Sequence, residues 1–120
     1  VKTVTIGKRE VKLELPPSYA VRYAICGYAS HNEPYTYGAA LAVCWLSGPS
    51  GKAPKTRLRK HNHNPLSFGA AVLDELIGRG VDYAEIMRAG AIAFNMLVDS
   101  LPGSDEVDEA EGNSVAEDEE

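Results

Sequence analysis

Between Tyr35 and Leu46 the chain offers no polar face. Tyr37, Leu41, Cys44 and Trp45 recur at helical spacing, while Gly38, Ala39, Ala40, Ala42 and Val43 fill the positions between them. A helix that is apolar all round is stable only when other elements enclose it. This stretch covers about a dozen residues, well short of the roughly 20 that cross a bilayer. It therefore predicts the central, most enclosed helix of a folded domain, ending near Ser47-Gly48-Pro49, with Pro34 in its first turn.

The residues that precede it alternate with period two. Val4 and Ile6, then Val11, Leu13 and Leu15, flank the turn candidate Gly7-Lys8-Arg9-Glu10, which reads as one β-hairpin with a single apolar face. A lone hairpin is marginal in water, so that face must cover helices or join a sheet. Pro16-Pro17 ends the second strand. Ser18 is a candidate N-cap for a helix over residues 18–29, in which Val21, Ile25 and Tyr28 share a side.

Beyond the central segment, residues 47–64 form a long connection carrying Gly48-Pro49, Gly51, Pro54 and Asn62-His63-Asn64, and connections of this length are usually functional or mobile. Asn64-Pro65 opens a third helix with the stripe Phe68, Val72, Leu76 and Ile77, stopped by Gly78-Arg79-Gly80. Asp82 with Glu85 three residues later resembles a capping box. It opens a fourth helix in which Tyr83, Ile86, Met87, Gly90, Phe94, Leu97, Val98 and Leu101 fall on one side, before Pro102-Gly103. The short link predicts an antiparallel or angled pair of helices. Many alanines and few large aromatics imply close helix contact through small residues.

The apolar periodicity stops at Leu101. Residues 105–120 hold nine acidic residues and no basic one, whereas residues 52–60 hold five basic residues, Lys52, Lys55, Arg57, Arg59 and Lys60. Without its acidic stretch the chain has twelve Lys and Arg against eight Asp and Glu. Val107 and Val115 alone cannot offset the chain entropy lost on ordering. The expected organisation is one mainly α (α+β) domain over residues 1–102, a hairpin packed on a bundle of about four short helices, followed by a disordered acidic tail over residues 103–120.

Little in the sequence declares a reaction. Ser47-Gly48-Pro49-Ser50-Gly51-Lys52-Ala53 fails as a phosphate loop, because a Walker A spacing needs Gly at Leu46 and Ser or Thr at Ala53. His61 and His63, with His31 in another loop, lack a fixed third ligand and read as solvated loop residues. Cys26 and Cys44 lie in apolar helical surroundings without redox or ligand spacing, and read as buried free thiols. No catalytic residue, metal or cofactor is assigned, and a non-enzymatic interaction domain is the expectation. The candidate partner-binding residues are Lys52, Lys55, Arg57, Arg59 and Lys60. Phosphate contact by them is the alternative, weakened by the lack of interleaved aromatics and by the acidic net charge. The first residues do not read as a secretory signal, so a cytoplasmic protein is expected.

The hairpin followed by Pro16-Pro17, and the stretch Leu73-Asp74-Glu75-Leu76-Ile77-Gly78-Arg79-Gly80-Val81-Asp82-Tyr83-Ala84-Glu85-Ile86 running on through Ala89-Gly90, resemble small proteins of tailed bacteriophages and prophages, in particular tail assembly chaperones. The resemblance implies a mainly helical, non-catalytic protein that coats the hydrophobic tape measure protein while the tail tube polymerises, and then leaves, inside the bacterial host cell. It transfers no partner-binding residue. The alternatives are a head-tail connector or other virion component, and a small nucleic-acid-associated regulator using residues 52–60. A homo-oligomer is open, a membrane is not expected.

Overall fold

The computed structural model describes residues 2–27, 33–46 and 53–102. The chain opens with strands β1 (Lys2–Ile6) and β2 (Arg9–Leu13), paired antiparallel with Val4 opposite Val11. Gly7 and Lys8 both take positive φ, 57° and 69°. These are the values a two-residue type I′ turn requires, whose twist matches that of the strands. The register puts Val4, Ile6, Val11 and Leu13 on one buried face.

Helix α1 (Tyr19–Cys26) starts at Ser18, whose hydroxyl accepts a hydrogen bond from the Val21 N–H at 3.3 Å. It ends at Gly27, earlier than the periodicity suggested, and Tyr28 and Ala29 lie outside the described residues. Helix α2 (Glu33–Cys44) contains the segment without a polar face, with Thr36, Ala39, Ala40, Leu41 and Cys44 fully buried. A 3-10 turn over Leu58–His61 leads to α3 (Pro65–Gly78), capped by Asn64, whose Oδ1 accepts from the N–H groups of Leu66 at 2.9 Å and Ser67 at 3.4 Å. Helix α4 (Tyr83–Ser100) closes the fold.

Helix α2 packs along both α3 and α4, which make few contacts with one another despite the short link between them. The expected angled pair is thus split by the helix both must cover. The close approach runs through glycine, since a Cβ on Gly69 would lie 2.0 Å from the Tyr35 carbonyl oxygen and one on Gly90 would lie 2.7 Å from that of Tyr37. Phe68, Val72, Leu73 and Leu76 of α3, and Ile86, Ala89, Ala93 and Leu97 of α4, bury against this axis. Ile77, placed in the α3 stripe by spacing, is instead 49% exposed.

Two sequence expectations at element ends need correction. Helix α2 stops at Cys44, and Trp45 becomes extended, forming an antiparallel bridge with Leu13. The Glu14 N–H donates to the Cys44 carbonyl at 2.8 Å and the Leu46 N–H to the Lys12 carbonyl at 3.0 Å. Backbone groups freed at the helix end thereby satisfy the open edge of β2, as buried backbone must. At α4, Asp82 occupies the cap position but its side chain makes no capping bond. Glu85 does not reach back to it. Both Glu85 carboxylate oxygens accept from the Gly7 N–H, at 3.3 Å each, so the box residue ties the hairpin turn to the start of α4.

Candidate functional site

The basic segment is folded against α3 rather than extended. Leu58 and Pro54 are buried, and the His61 ring nitrogens lie 2.8 Å from Thr56 Oγ1 and 2.8 Å from Ser67 Oγ, with the ring tilted over Phe68. His61 is therefore a half-buried organiser of the turn, not a solvated residue. Asn62 and His63 both take left-handed φ, 55° and 58°. The Lys55 N–H donates to both oxygens of Glu75, at 3.0 and 2.9 Å, and Glu75 also pairs with Arg79.

Of the expected partner-binding residues, Lys52 lies outside the described residues, while Lys55, Arg57, Arg59 and Lys60 are all exposed. The four described residues do not form one patch. Trp45 separates two grooves, of about 480 and 470 Å³. Lys55 lines the first together with Arg9 and Arg79, over a floor of Ile6, Val11, Leu76 and Trp45. Arg57 and Arg59 line the second with His63, Phe68 and Val43. The Arg57 guanidinium is turned back onto the chain, donating to the carbonyls of Pro54 and Thr56. Lys60 lines neither groove.

Trp45 itself is 9% exposed, and its buried indole Nε1 has no hydrogen-bond partner among the described residues, an arrangement that costs about 1–3 kcal/mol. The two thiols are free. Burial pushes the Cys44 thiol up to about 12 and the Cys26 thiol up to about 11, so both are protonated at neutral pH. Among the described residues no group of three or more His, Cys, Asp or Glu is placed to hold a metal ion, and no helix is long and apolar enough to cross a membrane.

A second surface was not singled out from the sequence. On α1, Tyr19 and Tyr23 are each 53% exposed, one helical turn apart, while Ile25 faces inward and is fully buried. The Arg22 guanidinium stacks over the Tyr19 ring at 4.5 Å and its Nε donates to the Pro16 carbonyl at 2.8 Å. The i, i+4 spacing of two tyrosines opposite an apolar stripe was the available signal. Arg9 and Arg79 gave none, because each is distant in sequence from Lys55 and joins it only through the fold. Comparison of the chain with protein-family models, with curated proteins and with solved structures gives no match.

Proposed function

We propose that this chain is a non-enzymatic assembly protein of tailed bacteriophages or prophages, a tail assembly chaperone that holds an apolar helical segment of the tape measure protein in the host cytoplasm. The observation that carries the reading is the aromatic face of α1. Two large apolar rings stand half out of water on a domain whose remaining core is modest, and one of them is held by Arg22 before any partner arrives. Tyrosine supplies large contact area with little side-chain freedom to lose, and pre-ordering it lowers the cost of association. The residues that carry the resemblance support the scaffold instead: Leu73, Leu76, Ile86 and Ala89 are buried where α3 and α4 cover α2.

Co-expression with a tape measure protein tests the proposal. The wild-type chain is expected to keep the tape measure soluble and to co-purify with it in high salt, and Tyr19→Ser with Tyr23→Ser is expected to lose both effects while keeping its helical content. Retention of both effects by the double variant would overturn the reading. Binding to nucleic acid alone, abolished by neutralising Lys55, Arg57, Arg59 and Lys60, would favour a small regulator in its place.

A further inference from the structure

We infer that the groove between the hairpin turn and the α3–α4 link is a binding site for a carboxylate-rich peptide segment, and that residues 117–120 of the same chain, Glu-Asp-Glu-Glu, occupy it. Three cations, Arg9, Lys55 and Arg79, line this groove, and no carboxylate does. Glu75 is committed to Arg79 and to the Lys55 backbone. Among the described residues neither the Arg9 guanidinium nor the Lys55 ammonium has a carboxylate partner. The floor is apolar, formed by Ile6, Val11, Leu76 and the Trp45 ring. Charges held over such a floor are less screened than charges in open water.

Reach and charge density together select the segment. Gly80 and Val81 line the groove and immediately precede α4, which runs 18 residues away from it, or about 27 Å at 1.5 Å per residue. The chain beyond α4 must return over that distance. Asp105, Glu106, Asp108 and Glu109 lie three to seven residues beyond Pro102, enough for at most about 25 Å, and fall short. Glu111, nine residues beyond Pro102, reaches about 32 Å but stands alone, whereas Glu117, fifteen residues beyond it, reaches up to about 54 Å and opens a run of four consecutive acids. Val115 and Ala116, directly ahead of the four acids, match the apolar floor. Tethering makes the encounter intramolecular, so individually weak pairs gain from a high effective concentration.

Trp45 is the only tryptophan in the chain and lines the groove, so its emission reports occupancy. The full-length chain is compared with one carrying Glu117→Gln, Asp118→Asn, Glu119→Gln and Glu120→Gln. At low salt the two should differ in Trp45 emission and in the amide resonances of Gly7, Lys55 and Gly80. The difference should vanish in 1 M NaCl, where the screening length is about 3 Å. A synthetic peptide of residues 113–120 added to the neutralised chain should restore the wild-type signals at low salt. Arg9→Gln with Lys55→Gln, both at exposed positions, should weaken that peptide about tenfold, the loss expected for two partly screened charge pairs. Identical spectra for the two full-length chains at low salt would overturn the inference, as would shifts confined to Arg59 and Lys60.

Discussion

Gly69 and Gly90 mark the places where α3 and α4 press onto the backbone of α2. Alanine is favoured over glycine in a helix interior by about 1 kcal/mol. Here the obstructing atoms are backbone, which cannot swing aside, so overpacking outweighs propensity. Gly69→Ala should lower stability by about 3 kcal/mol and Gly90→Ala by about 1–3 kcal/mol in urea denaturation. Gly78→Ala, with nothing within 4 Å of the added Cβ, should be neutral or slightly stabilising and serves as the control. Trp45 combines a buried ring with an orphaned N–H. Trp45→Ala should cost about 3–5 kcal/mol. Trp45→Phe should cost clearly less, because it keeps much of the packing and removes a donor that has no acceptor among the described residues. Cys44 makes stability depend on alkaline pH. Its thiol is held near 12 when folded against 9.0 otherwise, so its contribution is complete below pH 9 and is lost as pH rises toward 12, the unfolded chain releasing its proton first. Cys44→Ala should flatten part of the fall in stability measured between pH 9 and 10.5.

At the scale of elements, the hairpin is fastened at two points, to the end of α2 through Trp45 and to the start of α4 through Glu85. Glu85→Ala should leave helix content unchanged, lower stability by about 1 kcal/mol, and speed amide exchange at Gly7. Both fastenings show where sequence reasoning runs out. The alternation of Val4, Ile6, Val11 and Leu13, the Asn64-Pro65 start and the α2 segment without a polar face were legible because each depends on neighbours a few residues away. The bridge at Trp45 was not, since the ring falls in helical register with Leu41 and only the open edge of β2 draws its backbone out. Glu85 read as a capping residue because its spacing from Asp82 suits one, yet an unpaired N–H at Gly7 competes for the same carboxylate. The aromatic pair on α1 went unnoticed for a related reason. Tyr19 and Tyr23 are apolar enough to belong to a core, and only the burial of Ile25 shows that they face the other way.

At the scale of the whole molecule, the basic residues of the described 53–60 segment do not gather into a single patch. Lys55 joins Arg9 and Arg79 in one groove, while Arg57 and Arg59 line another across Trp45. Apolar contact through α1 and charge contact through the first groove are therefore separable by salt. The proposed role as a tail assembly chaperone depends on the former. Calorimetric titration of a tape measure segment into the full-length chain in 1 M NaCl tests it most directly. The account predicts binding with a negative heat-capacity change, the mark of buried apolar surface, and its loss in the Tyr19→Ser, Tyr23→Ser variant. Binding that disappears in 1 M NaCl, or that survives unchanged in the double variant, would contradict it.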